Sequence, residues 1–63
     1  MTDVERLLNG IREGRTWAQR EADRHRMSAT AGGKTAAADA QMALAYIAIG
    51  QVMDKIIEGA QGD

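Results

Sequence analysis

Small and apolar residues recur along the first half of the chain at Val4, Leu8, Ile11, Ala18, Ala22 and Ala29, with Arg15 and His25 filling two further places in the same series. The steps alternate between four and three residues, the spacing of one continuous stripe along a helix and of a coiled-coil seam. Leu7 is expected on the same face. Thr2-x-x-Glu5 has the form of a capping box, with Thr2 as N-cap, so a helix is predicted over about 3–29. Gly10 and Gly14 each weaken it by up to ~1 kcal/mol relative to alanine. A break near Gly14 is therefore an open alternative, with Thr16-x-x-Gln19 as a second capping box that restarts the helix.

Residues 30–35 contain the paired glycines Gly32 and Gly33, which stop a helix and turn the chain. Thr35 is placed to cap a second helix. That helix is predicted over about 36–58, and Gly59 opens a frayed tail over 59–63. Its large apolar residues Met42, Tyr46, Ile49, Val52, Met53, Ile56 and Ile57 cover one broad face, with Gln51, Asp54, Lys55 and Glu58 opposite. Leu44 and Ile47 project elsewhere, beside a ridge of mostly small residues formed by Ala36, Ala40, Ala43, Ile47 and Gly50. The fold class expected is all-α: a single domain over 1–63, an antiparallel helical hairpin.

The two helices do not match as a closed pair. The first stripe is narrow and turns to alanine after Ile11, whereas the second is broad. Chain length sharpens the mismatch. A chain of 63 residues buries only about 60% of its unfolded surface and needs a staple. With no cysteine there is no disulfide, and with one histidine there is too little for a structural zinc site. Pairing of two hairpins into a four-helix-bundle homodimer is the expectation, with Met42, Leu44, Tyr46, Ile47, Ile49, Val52, Met53, Ile56 and Ile57 as the self-association residues.

Composition adds a helical bias: twelve alanines and no proline. Net charge is −1, split as +2 over residues 1–34 and −3 over residues 35–63. The N-terminal segment is acidic rather than basic and then apolar, which is not the form of a signal peptide, and the longest apolar run, 42–49, is far short of the ~20 residues of a membrane span. A cytoplasmic location with no membrane role is expected.

Candidate chemistry is sparse. No set of acid, base and nucleophile converges by spacing, and Asp39 and Asp54 lie four turns apart on the predicted polar face. No catalytic, cofactor-binding or metal-binding residues are assigned, and the chain is read as a non-enzyme. The segment 31–35, Ala-Gly-Gly-Lys-Thr, resembles the end of a phosphate-binding loop, but Ser28 stands where that motif needs glycine and no strand precedes it. Segment 14–28 faintly resembles a helix-turn-helix, with Thr16 and Ser28 as caps, but Gly32 and Gly33 leave too short a recognition helix.

Binding is the remaining role. Trp17 points off the stripe of a continuous helix, and exposed tryptophan is a favoured interface anchor. Trp17 with Arg12, Arg20 and Arg24 is the candidate surface for a protein partner, giving an adaptor, inhibitor or assembly factor. One alternative is a dimeric nucleic-acid-binding regulator using the arginine-rich segment 12–26, although Glu13, Glu21 and Asp23 dilute its field. Another is a structural subunit of a phage or bacterial assembly. His25 and Arg15 are polar places on the seam, suited to fixing register.

Overall fold

The computed structural model describes residues 2–61: two helices, α1 (Asp3–Ala31) and α2 (Ala36–Gln61), joined by a four-residue turn into a hairpin. It is an elongated object of 47 × 19 × 11 Å with a Cα radius of gyration of 14.5 Å, against about 11 Å for a compact chain of this length.

The N-terminus forms as its residues dictate. Thr2 is extended (φ −75°, ψ 162°) and its hydroxyl oxygen accepts the Glu5 backbone N–H at 3.1 Å. Asp3 and Glu5 place negative charge at the positive end of the helix dipole. α1 then runs unbroken through Gly10 and Gly14, so the break considered near Gly14 does not occur. Thr16 restarts nothing; its hydroxyl donates to the Arg12 carbonyl at 3.1 Å, a mid-helix arrangement. The continuous helix also removes the helix-turn-helix reading of 14–28.

Gly32 ends α1 with φ +84° and Gly33 comes next at φ +97°, conformations that L side chains rarely adopt. The Gly32 N–H donates to the Ala29 carbonyl, and the Ala36 N–H to Gly33. Both groups serve the turn, and a helix rather than a strand precedes it, so the likeness to a phosphate loop goes no further. The Thr35 carbonyl accepts the Asp39 N–H at 2.8 Å and opens α2, which continues through Gly59 to Gln61. Residues 59–61 are thus helical rather than frayed; 62 and 63 lie outside the described residues.

The rotation of α2 differs from the sequence expectation. The side turned to α1 carries Ala36, Asp39, Ala43, Tyr46, Ile47, Gly50, Met53, Asp54 and Ile57, all at least half-buried. Ala36, Ala43, Ile47 and Gly50, four members of the ridge of mostly small residues, therefore face α1. The reason is steric. α1 presents Ala18 and Ala22, which are closed off completely or nearly so, and two small surfaces bring backbones close together. At the open end the contact widens, with Leu8 and Ile11 of α1 on the same side as Gly14, whose Cα faces the Met53 thioether.

Val4 and Leu7, both placed on the α1 stripe by spacing, stay exposed. Among the described residues the buried hydrophobics are Ala18, Ala22, Ala43 and Ile57, and no large side chain is completely enclosed. The buried part of the described hairpin is a narrow seam of small residues and Ile57.

Candidate functional site

Two features stand out above the seam: a polar cluster at the turn and an apolar face along the hairpin.

The cluster is built on Asp39, in the first turn of α2. Its Oδ1 lies 2.8 Å from His25 Nδ1. Its Oδ2 accepts the Ser28 hydroxyl at 2.7 Å and the Thr35 hydroxyl at 3.0 Å. One carboxylate thus ties the end of α1, the turn and the start of α2. The His25 ring stacks on Tyr46, centroids 5.7 Å apart and planes 11° from parallel. These bonds, the His25 contact first and the two hydroxyls after it, hold the Asp39 carboxyl below its ordinary value of 3.8.

A depressed folded value means that Asp39 stabilises the hairpin fully above the ordinary carboxylate value, and that this contribution fades as pH falls through the folded value. Asp39→Asn should therefore destabilise at about pH 5, with the gap to the native chain narrowing by about pH 2.5. Urea melts monitored by circular dichroism at the two pH values would show it, and an equal gap at both would refute this role for the carboxylate.

Sequence spacing places Asp39 and Asp54 on the polar face of α2. In the structure both are interhelical: Asp54 accepts Arg15 Nη1 at 3.0 Å, so Arg15 pairs within the hairpin. A signal for this exists in the sequence. Asp39 is three residues from Ala36 and four from Ala43, on the seam that faces α1. Among the described residues no cluster of three potential metal ligands occurs, and no helix is long and apolar enough to cross a membrane.

The apolar face begins with Trp17. It is 49% exposed and meets Tyr46 edge-on, centroids 5.2 Å apart at 86°. Gly14 lies over Met53, and Leu7, Gly10 and Ile11 line a mostly apolar groove that Met53, Asp3 and Arg6 also border. Trp17, Gly14, Gly10 and Leu7 therefore share one side of the hairpin with Tyr46 and Met53. Met42, Ile49 and Ile56 stand three or four residues from Tyr46 or Met53, so they extend this face along α2. All three are exposed, and Val52 beside them is 60% exposed.

The nine residues assigned to self-association thus divide. Tyr46, Ile47, Met53 and Ile57 are engaged with α1, at least in part; Met42, Ile49, Val52 and Ile56 form the exposed stripe. Leu44 is exposed on the other side, in a groove with Arg26, Thr30 and Ile47.

Along α1, Arg20 and Arg24 follow Trp17 by three and seven residues, and Arg12 precedes it by five. Arg12 and Arg20 border a shallow outer groove of about 410 Å³ with Glu13 and Thr16, and Arg12 Nη1 also reaches Asn9 Oδ1 at 3.3 Å. Arg24 pairs with Glu21, and that bond raises its already high pKa. Gln19, Asp23, Arg26, Gln51 and Asp54 line a cleft of about 350 Å³ together with Tyr46 and Ile47, a mixed polar and apolar surface with no concentration of one charge. Compared with protein-family models, with characterised proteins and with solved structures, the chain matches none.

Proposed function

We propose that this chain acts by binding rather than catalysis, as a small helical interaction protein that self-associates through α2 into a four-helix bundle. The observation that carries the reading is the uncovered stripe of Met42, Ile49, Val52 and Ile56 on a hairpin whose buried hydrophobic residues, among those described, are three alanines and Ile57. Contiguous exposed apolar surface of this kind marks an interface. A hairpin with so small a core gains further burial from a second copy.

The reading assigns the two sides of the hairpin different tasks. The apolar side, with Trp17, Tyr46 and Met53, joins copies. The outer side, with Arg12, Arg20 and the charged residues around the cleft, is left to meet a protein partner as an adaptor, inhibitor or assembly factor does. Arg12 and Arg20 stay together in this scheme, while Arg24 is already neutralised by Glu21.

Sedimentation equilibrium over a wide concentration range tests it. The expected result is a discrete dimer that dissociates on dilution, with helicity falling as it does so. A folded monomer at all concentrations would overturn the reading and give the stripe to a different protein.

A further inference from the structure

Spacing along α2 carries the self-association reading further. The seam against α1 runs 36, 39, 43, 46, 50, 53, 57, alternating three and four. The exposed side holds a second series of the same form: Ala38, Met42, Ala45, Ile49, Val52, Ile56 and Gly59. The two series are offset by one residue, or about 100° around the helix. That is the angle between the two neighbours of a helix at the corner of a four-helix bundle. The second series contains no charged residue, so a helix laid along it meets no unpaired charge.

We infer that the occupant of this second seam is α2 of a second copy, running antiparallel, about a two-fold axis between positions 50 and 51. The inference rests on the self-association reading and fixes its geometry. Antiparallel seams pair the residue after a three-step with the one before it. Ile49 then meets the partner's Val52, Ala45 meets the partner's Ile56, and Met42 meets the partner's Gly59. Each layer joins a larger with a smaller side chain or two of middle size, so its volume stays nearly constant, as close packing requires. A parallel arrangement stacks Ala45 on itself and Gly59 on itself, leaving gaps, while Ile56 crowds Ile56.

The other face-to-face arrangement sets α2 against the partner's α1. It places Met42 and Ala45 on the Glu21–Arg24 ion pair, whereas the two-fold proposed keeps the α2–α2 contact apolar along its whole length and leaves that ion pair to the α1–α1 side.

Size is consistent with a stable contact. A face of 47 × 19 Å offers about 900 Å² in projection, against roughly 800 Å² per partner in a standard interface. The axis also places Trp17. Within the hairpin Gly14 faces Met53 and Arg15 bonds Asp54, so the middle of α2 lies beside residues near 16 of α1. The same two-fold then brings α1 beside the partner's α1, with Trp17 about one turn or less from the axis.

The chain has no cysteine, so single thiols report the register directly. Ala45→Cys and Ile56→Cys chains, mixed and treated with a short bis-maleimide, should accumulate a cross-linked heterodimer, and neither variant alone should cross-link comparably. Rapid cross-linking of Ile56→Cys with itself would mean parallel helices and overturn the inference. A dimer by sedimentation that fails to join 45 to 56 would also overturn it, while leaving self-association intact. A monomer by sedimentation would remove both.

Because Ile56→Cys trims a seam residue, Met42→Cys with a spin label gives an independent reading. The antiparallel register separates residue 42 from the partner's Met42 by about 25 Å along the axis, whereas a parallel pair holds the labels roughly one interhelical distance apart. Trp17 is the sole tryptophan, and its emission should move to shorter wavelength as the dimer forms. Emission that stays constant across the association range would take Trp17 out of the contact.

Discussion

Ala18→Leu should lower the melting temperature by on the order of 10 °C. Ala18 has no exposed surface, and it sits in the stretch where α1 and α2 meet through Ala22, Ala43 and Gly50. Three added carbons have no void to enter, and the helices must separate to admit them. Overpacking of a closed site costs about 1–3 kcal/mol. A chain of this size commands about 3–5 kcal/mol in all, and each kcal/mol moves the midpoint by about 4–8 °C. The separation would also stretch the Arg15–Asp54 and His25–Asp39 contacts, which lie on either side of position 18.

Ala37→Leu is the matched control. Ala37 is exposed in the first turn of α2, so the same enlargement there should change stability by no more than about 0.5 kcal/mol. Thermal melts monitored by circular dichroism compare the three chains. If Ala18→Leu melted with the native chain, the close alanine seam would not exist as described.

That seam also explains which parts of the fold are legible in the sequence. Helix positions, the Thr2 cap and the Gly32–Gly33 turn come from local rules, because caps and positive φ depend on neighbouring residues alone. The rotation of α2 does not. α2 is apolar through two series one residue apart, and its large side chains are divided between them. Burial area favours placing Ile49, Val52 and Ile56 inward, but α1 offers alanines, and alanine faces gain by close approach to other small residues. With Ala43 and Gly50 inward, the Asp39 carboxylate reaches His25 and adds to that choice.

Trp17 illustrates the same limit on the candidate site. Spacing alone sets it off the stripe, as an anchor for another protein or as a core residue if the helix breaks at Gly14. It is neither free nor buried, because Tyr46 comes from the other helix to meet it. No pattern within α1 could indicate that contact.

Ile49→Glu should abolish association while Leu44→Glu leaves it unchanged. The two residues are five apart on α2 and both are exposed, Leu44 more so at 67% against 39%. On exposure alone, Leu44 would be the better candidate for an interface. The difference lies in their surroundings. Ile49 belongs to the uncharged series 42, 45, 49, 52, 56 and adjoins Tyr46 and Met53, which continue the apolar surface towards Trp17. Leu44 looks onto Arg26 and Thr30 across a groove on the opposite side. A carboxylate at 49 would be taken out of water against the partner's Val52, with no cation on that series to receive it. An uncompensated buried charge costs about 3–5 kcal/mol, and the two-fold introduces it twice, so affinity should fall by at least about two to three orders of magnitude. At 44 the carboxylate stays in water beside Arg26 and costs little. Sedimentation of both variants separates the faces. Loss of the dimer in Leu44→Glu with retention in Ile49→Glu would move the interface to the far side of the hairpin. Helicity supplies a second consequence: a hairpin whose buried residues are three alanines and Ile57 gains stability from its partner, so Ile49→Glu should also lose helical signal at concentrations where Leu44→Glu keeps it.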